Sequence, residues 1–269
     1  MADVYTTISE ADPAVVEELA EILELRAADP QQRELRDAYL SEIDFPAEAR
    51  VVEVGCGPGP VSRALAARPG IGEVVGVDPS PIFLSRGRDL AQGIPNITFV
   101  EGDARALPFD GGSFDVVIFH TTLCHIPEPE LALAEARRVL VRGGRLGIFD
   151  GDYTTVTCAC SESDPLQACA EACVEYLVHD RWLVRRLPRL VRDAGFEIGR
   201  IRSHGYLEAP SSGGYMLAIV DRGADALLAG GRVGLDAAEA LKAEARRRSE
   251  AGEFFGHISY ASLIAHTSA

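Results

Sequence analysis

Three glycines, Gly55, Gly57 and Gly59, fall in the run Val51-Val-Glu-Val-Gly-Cys-Gly-Pro-Gly59, after an apolar stretch and before a helical one, Pro60 to Ala67. A strand that turns sharply into a helix needs residues without a Cβ, both to make the turn and to let a ligand approach the backbone. The spacing predicts a small-molecule cofactor lying across this turn. About twenty residues further on, a second apolar run ends in Val77-Asp78, where an acid accepts hydrogen bonds from the hydroxyls of an adenosine ribose. Asp78 also suits a helix N-cap before Pro79, and the two roles are compatible. A glycine turn alone fits a NAD or FAD site or a plain tight turn. Pro60 weighs against the dinucleotide fingerprint, which wants a small residue at that place.

A second set of candidates follows later apolar runs: His120-Thr-Thr-Leu-Cys-His125-Ile-Pro127, then Asp150-Gly-Asp152-Tyr153. Ligands in open α/β sheets lie outside the carboxyl ends of the strands, which places both groups at the open end. His120 is the first candidate base, with Asp150, Asp152 and Tyr153 as alternates. An imidazole there equally serves to orient a substrate or to hydrogen-bond a loop. Cys158, Cys160, Cys169 and Cys173 lack the paired knuckles and nearby histidine of a zinc site, so no metal is expected. Cys169 and Cys173, at i, i+4 spacing among alanines, read as small buried hydrophobes.

The elements that must position these residues are legible as a pattern. Asp12-Pro13 is a helix start, and Val15, Val16, Leu19, Ile22 and Leu23 recur at helical spacing, which predicts one or two helices over 12–43, ended by Phe45-Pro46. Short Val- and Ile-rich runs at 50–54, 73–77, 97–100, 114–119 and 145–149 then alternate with amphipathic stretches, as a parallel sheet buried on both faces requires. A helix over 130–141 is expected to stop at Gly143-Gly144. Beyond it, helices are expected over 165–179, 182–194, 213–229 and 236–250, with strands over 196–203 and 254–265. The expected fold is α/β: a doubly wound, mostly parallel seven-stranded, Rossmann-like sheet with N-terminal helices (12–45) and a helical cap (211–252) inserted before the last strand (253–269). Residues 46–150 would form the cofactor-binding core and 151–210 the substrate side of a single domain. The cap begins with a flexible lead-in, Ser211-Ser-Gly-Gly214, and its apolar residues Met216, Leu217, Ile219 and Val220 need a partner surface; covering the open end or forming a dimer contact are the two options.

The motifs E-V-G-C-G-P-G, V-D-P-S, E-G-D-A, S-F-D-V-V and R-V-L-V-R-G-G, in this order, resemble class I S-adenosylmethionine-dependent methyltransferases, most like the ubiquinone/menaquinone-methyltransferase-like group. The resemblance implies S-adenosylmethionine as cofactor. It implies that Glu53 helps hold the methionine end and that Gly55, Cys56, Gly57 and Gly59 pack against the cofactor. Asp78 and Pro79 would lie at the ribose, Asp103 and the Ala104 amide at the adenine edge. His125 resembles the family's H-I-P element and is placed to touch the cofactor, with His120 near the transferable methyl.

The totals bound what the acceptor is. A net charge of -15 disfavours nucleic acid, whose binding relies on Lys and Arg. The first ten residues lack the features of a signal peptide, and no run approaches the ~18 apolar residues of a membrane span. A cytoplasmic monomer or homodimer with reduced cysteines and no membrane partner is expected. The implied activity is methyl transfer to O, N or C of a small organic acceptor, in secondary metabolism. A non-methylating, cyclase-like catalyst that keeps the cofactor, and a catalytically silent regulatory subunit, are the rival readings.

Overall fold

Runs of Val and Ile between polar turns give the strands, and their register gives the site. In the computed structural model, which describes residues 3–208 and 214–268, the strands are β1 (Ala49–Val54), β2 (Ile71–Asp78), β3 (Ile97–Glu101), β4 (Phe114–His120), β5 (Leu140–Thr157), β6 (Glu197–Leu207) and β7 (His257–His266). They form one seven-stranded sheet in the order β3-β2-β1-β4-β5-β7-β6. Pairing is parallel from β3 to β5, and β7 runs antiparallel to both β5 and β6. Val54 pairs with Val77 on one side and with Phe119 on the other, so β1, β2 and β4 end level with one another. The chain moves outward from β1 to β2 and β3 and then returns to the far side of β1 as β4. That reversal opens a crevice at the carboxyl ends of β1 and β4, where α/β sheets take ligands.

The helices are α1 (Pro13–Ala28), α2 (Pro30–Leu40), α3 (Pro60–Ala66), α4 (Pro81–Leu90), α5 (Pro129–Val139), α6 (Leu166–Leu177), α7 (Leu183–Asp193), α8 (Tyr215–Ala229) and α9 (Leu235–Glu250). Asp12 caps α1 by accepting from the Ala14 amide at 2.8 Å, with Pro13 at the first helical position. The N-terminal helices end at Leu40, short of Phe45-Pro46. Val16, Leu19 and Ala20 of α1 pack with Val4 and Ile8 against Phe83 of α4, which holds the N-terminal segment over the open end of the sheet.

One expected boundary is corrected. The helix read over 130–141 ends at Val139, because Leu140 already turns to extended backbone (φ -76°, ψ 140°), and Gly143 and Gly144 lie inside the strand. At Gly144 a Cβ would stand 2.9 Å from the Val141 carbonyl, so that glycine allows the backbone to fold closely within β5 and does not cap a helix. The fifth strand also continues past Phe149 to Thr157.

Helix α8 packs on α6 so closely that a Cβ on Gly223 would meet the Cys169 carbonyl oxygen at 1.9 Å. Cys169 and Cys173 are buried in this contact region. In the lead-in Ser211-Ser-Gly-Gly214, residues 211–213 lie outside the described residues. Among the described residues no helix is long and apolar enough to cross a membrane.

Candidate functional site

A cavity of about 430 Å³ opens at the crevice. One half is built by the glycine turn. Gly55 (φ 72°), Gly57 (φ 54°) and Gly59 (φ 79°) all take the left-handed backbone that favours glycine. A Cβ at Gly55 would stand 2.1 Å from Thr122 Cγ2, and one at Gly57 would stand 3.2 Å from Leu23 of α1. Asp78, at the end of β2, closes the turn: the Gly57 amide donates to its Oδ2 at 2.8 Å and the Ser80 amide to its Oδ1 at 2.9 Å. Burial pushes the Asp78 carboxyl up to about 6, against the pull of those two amides. Glu53 is 2% exposed and accepts from the Ser62 hydroxyl. Burial raises its carboxyl to about 8, so it keeps a proton at neutral pH. Asp103 sits further along the same wall in an ion pair with Arg105 at 2.7 Å, which lowers its carboxyl below the usual range.

His120, at the end of β4, lines the cavity and stacks on Phe149, with ring centroids 4.9 Å apart. Its Nδ1 lies 3.0 Å from the Tyr39 hydroxyl. Burial, with the charges of Arg26 and Arg36, holds its pKa well below the ordinary value, so the imidazole is neutral at pH 7. The next residue, Thr121, has φ 53°, an outlier for a β-branched side chain and a common mark of functional turns. It is held by its amide, which donates to the Phe149 carbonyl at 2.6 Å, and by Arg26 Nη1, which donates to its hydroxyl at 3.0 Å.

The other half of the cavity is aromatic and comes from distant segments: Tyr5 before α1, Arg26 on α1, Tyr153 on β5, Tyr215 and Arg222 on α8, and Ile258 on β7. Burial raises the Tyr153 and Tyr215 hydroxyls well above their ordinary pKa, so both stay phenols. His125 lines the cavity and also secures the N-terminal segment. Its Nδ1 lies 2.8 Å from Asp3 Oδ2, its carbonyl accepts from the Thr6 hydroxyl at 3.0 Å, and its ring lies 4.6 Å from that of Tyr5.

The structure brings Glu53, Gly55, Cys56, Gly57, Asp78, Pro79, Asp103, Ala104, His120, His125 and Tyr153 to the wall of one cavity. Three expected site residues are not among those lining it. Gly59 is the N-cap of α3, and a Cβ there would stand 2.4 Å from the Phe99 ring, so its smallness serves packing. Asp150 is fully buried and accepts from the amides of Cys124 at 3.2 Å and Gly151 at 2.8 Å. Asp152 pairs with Arg185 at 2.9 Å. Because β5 runs on through them, Asp150 and Asp152 share one face of a strand and Tyr153 takes the other. The unforeseen contributors are Tyr5, Arg26, Tyr215 and Arg222. A signal for Arg26 existed in the sequence: Leu19, Ile22, Leu23 and Arg26 lie on one helix face, so the apolar stripe of α1 ends in a charge.

Residues 52–148 match the family described as a methyltransferase domain. Over 188 residues the chain is 31% identical to an uncharacterized 37.1 kDa protein in transposon Tn4556 of Streptomyces fradiae, covering 70% of this chain and 54% of that protein. Over 127 residues it is 34% identical to demethylmenaquinone methyltransferase of Staphylococcus aureus, covering 47% of this chain and 53% of the relative. The chain therefore spans about half the length of these curated relatives. Among solved structures, the fold is shared with the YcgJ protein of Bacillus subtilis (TM-score 0.62, 17% identity, 88% of this chain and 99% of that one). It is shared also with the 4+2 cyclase SpnF (TM-score 0.56, 24% identity, 88% and 82%). A third is phosphoethanolamine N-methyltransferase 2 of Haemonchus contortus, solved with S-adenosyl-L-methionine (TM-score 0.54, 17% identity, 88% and 53%). Residues 52–148 thus match a methyltransferase domain, and the fold around them is one that solved methyltransferases share.

Proposed function

We propose that this chain binds S-adenosylmethionine and catalyses methyl transfer to O, N or C of a small organic acceptor. The observation that carries this reading is the pair of buried acids, Glu53 and Asp78. Neither has an ion-pair partner among the described residues, and both line the cavity beside the glycine turn. Buried carboxyl groups left this way call for a ligand with hydroxyl and ammonium donors. Each Asp78 oxygen accepts one amide and keeps a lone pair for a ribose hydroxyl. Glu53 faces the ammonium end, and Asp103 with the Ala104 amide suits the adenine edge.

Bound S-adenosylmethionine supplies an electrophilic methyl on a positive sulfur. The protein then has to orient the acceptor, exclude water and, for a protonated nucleophile, take up a proton. His120 is the residue proposed to orient the acceptor and, for a protonated nucleophile, to take up the proton: its imidazole is neutral and so free to accept one, as a weak base. Tyr39 fixes its ring. The N-terminal segment and α8 together form the proposed cover that sets acceptor choice; no residue of α9 reaches the cavity wall. A cytoplasmic setting, a place in secondary metabolism and an acceptor other than nucleic acid belong to the same reading, the last supported by the net charge of -15.

The reading of a non-methylating catalyst that keeps the cofactor draws support from the weak base, since Asp150 and Asp152 stand away from the cavity wall. One experiment separates these readings. Calorimetric titration with S-adenosylmethionine is followed by incubation with extracts of small molecules and mass spectrometry. The expected result is S-adenosylhomocysteine together with a product heavier by one methylene. Cofactor binding without S-adenosylhomocysteine would favour the non-methylating catalyst, and no binding at all would favour a silent subunit.

A further inference from the structure

The half of the cavity away from the glycine turn carries two guanidinium groups with donors to spare. Arg26 is 8% exposed. Its Nη1 donates to Thr121, while its Nη2 is buried with no acceptor among the described residues. The same guanidinium carbon lies 5.4 Å from the ring centroids of both Tyr215 and Tyr260. Arg222 reaches Glu18 through Nη1 at 3.1 Å, and its Nε is likewise buried without an acceptor. Both charges act on the Tyr5 hydroxyl, so the two groups share one neighbourhood. A buried guanidinium N–H without a partner is unfavourable, and a ligand acceptor relieves it.

The acids on the cavity wall do not supply that acceptor. Glu53, Asp78 and Asp103 belong to the glycine-turn half, and Glu10 follows Tyr5 on the 3-10 turn at Val4–Glu10. Asp150 is not in the wall, and both its oxygens are engaged by backbone amides. The far half therefore presents two buried guanidinium N–H donors without an acceptor among the described residues, with Glu18 pairing Arg222 and the buried Asp150 acting on Arg26. Its remaining surface comes in part from Tyr153, Val156, Met216 and Ile258 and is largely apolar.

Building on the cofactor reading above, we propose that this half selects acceptors with an anionic oxygen, a carboxylate or an acidic phenol or enol, on an apolar body. Arg26 binds the oxygen through Nη2, and Arg222 adds a second donor. Guanidinium recognition of such an oxygen is charge-assisted and directional, which an apolar pocket alone cannot supply. The methionine carboxylate of the cofactor has the same chemistry, so the test must tell the two sources apart.

Wild-type protein is first titrated with S-adenosylhomocysteine. Failure at that point counts against the cofactor reading alone, and the comparison that follows is then made on the unliganded protein. The saturated protein is titrated with benzoate, 4-hydroxybenzoate and octanoate, each against its primary amide. At least one acid is expected to bind about tenfold or more tightly than its amide, and Arg26→Gln should erase that preference while S-adenosylhomocysteine affinity stays within about threefold. Arg26→Lys should retain part of the preference, and Arg222→Gln should reduce it. Melting temperatures establish that the variants are folded; if Arg26→Gln is not, the other two variants carry the test. The proposal is overturned if no acid outbinds its amide, or if the preference survives in every folded variant. It is overturned also if a folded Arg26 variant loses S-adenosylhomocysteine affinity about tenfold, which would assign the guanidinium to the cofactor's own carboxylate.

Discussion

The glycine-turn half of the cavity and the aromatic half are built by different means. The first comes from strand ends held level by parallel pairing: Val54 opposite Val77 places Gly55 and Asp78 side by side, and the next pair outward, Asp78 opposite Glu101, brings Asp103 near. Its ligand-facing groups are backbone turns and three acids close to those ends. The second half is assembled from five separated segments, with Tyr5, Arg26, Tyr153, Tyr215 and Ile258 each from a different one. No local turn places them; their positions depend on the packing of α1 on α4 and of α8 on α6. On the proposed function, the half built from register would hold the cofactor, whereas the half built from packing would be free to vary with the acceptor.

The largest expected effect tests the seam between the halves. His120→Ala should lower turnover by ~10²–10⁴ if the imidazole assists proton removal, while cofactor affinity changes only a few-fold. Because its pKa lies well below 6.5, the neutral ring persists through that pH, and the rate should show no His120 step on acidification from about pH 8 to 6.5. A variant with wild-type turnover would reduce His120 to a wall residue.

Next come paired glycine substitutions, one in each half. Gly55→Ala forces a Cβ into Thr122 at a left-handed backbone position; denaturation should show a loss of about 2–4 kcal/mol, and cofactor binding should vanish. Gly223→Ala pushes α8 from the Cys169 carbonyl and should cost about 1–3 kcal/mol while leaving cofactor affinity within a few-fold. If both abolish cofactor binding alike, the halves are not separable. Asp78→Ala is a milder probe of the first half: calorimetry should register a loss of about tenfold or more, since a hydrogen bond to a charged acceptor contributes ~1.5–3 kcal/mol. Unchanged affinity would remove Asp78 from the ribose site.

The smallest signal is a proton. Glu53, raised to about 8, holds its proton at pH 7 and should lose it when an ammonium group arrives. Titration of the cofactor in two buffers of different ionisation enthalpy should show release of roughly one proton, absent in Glu53→Gln. The same shift predicts a stability term in the unliganded protein. It is fully present below the unfolded value of 4.5 and lost as pH rises through about 8. Melting temperature should therefore fall from about pH 6 to pH 9 less steeply in Glu53→Gln than in wild type. Equal slopes would mean that Glu53 is already ionised.

The sequence by itself determined the doubly wound sheet and the acids of its glycine-turn half. Both follow from short-range rules: Val- and Ile-rich runs are strands, a strand turning into a helix over a ligand needs glycine, and the acid after the second strand lies one register step away. Where a local signal was ambiguous, it misled. Gly143-Gly144 reads as a helix stop, yet Leu140 has already left the helix, and the strand then runs on through Asp150 and Asp152, whose shared face is not the one that Tyr153 turns to the cavity wall. Only the tertiary structure decided the aromatic half. Tyr5, Arg26 and Arg222 become neighbours because apolar faces of α1, α6 and α8 bury one another, and packing of that kind is nonlocal: the residues it joins carry no spacing by which the sequence could announce them.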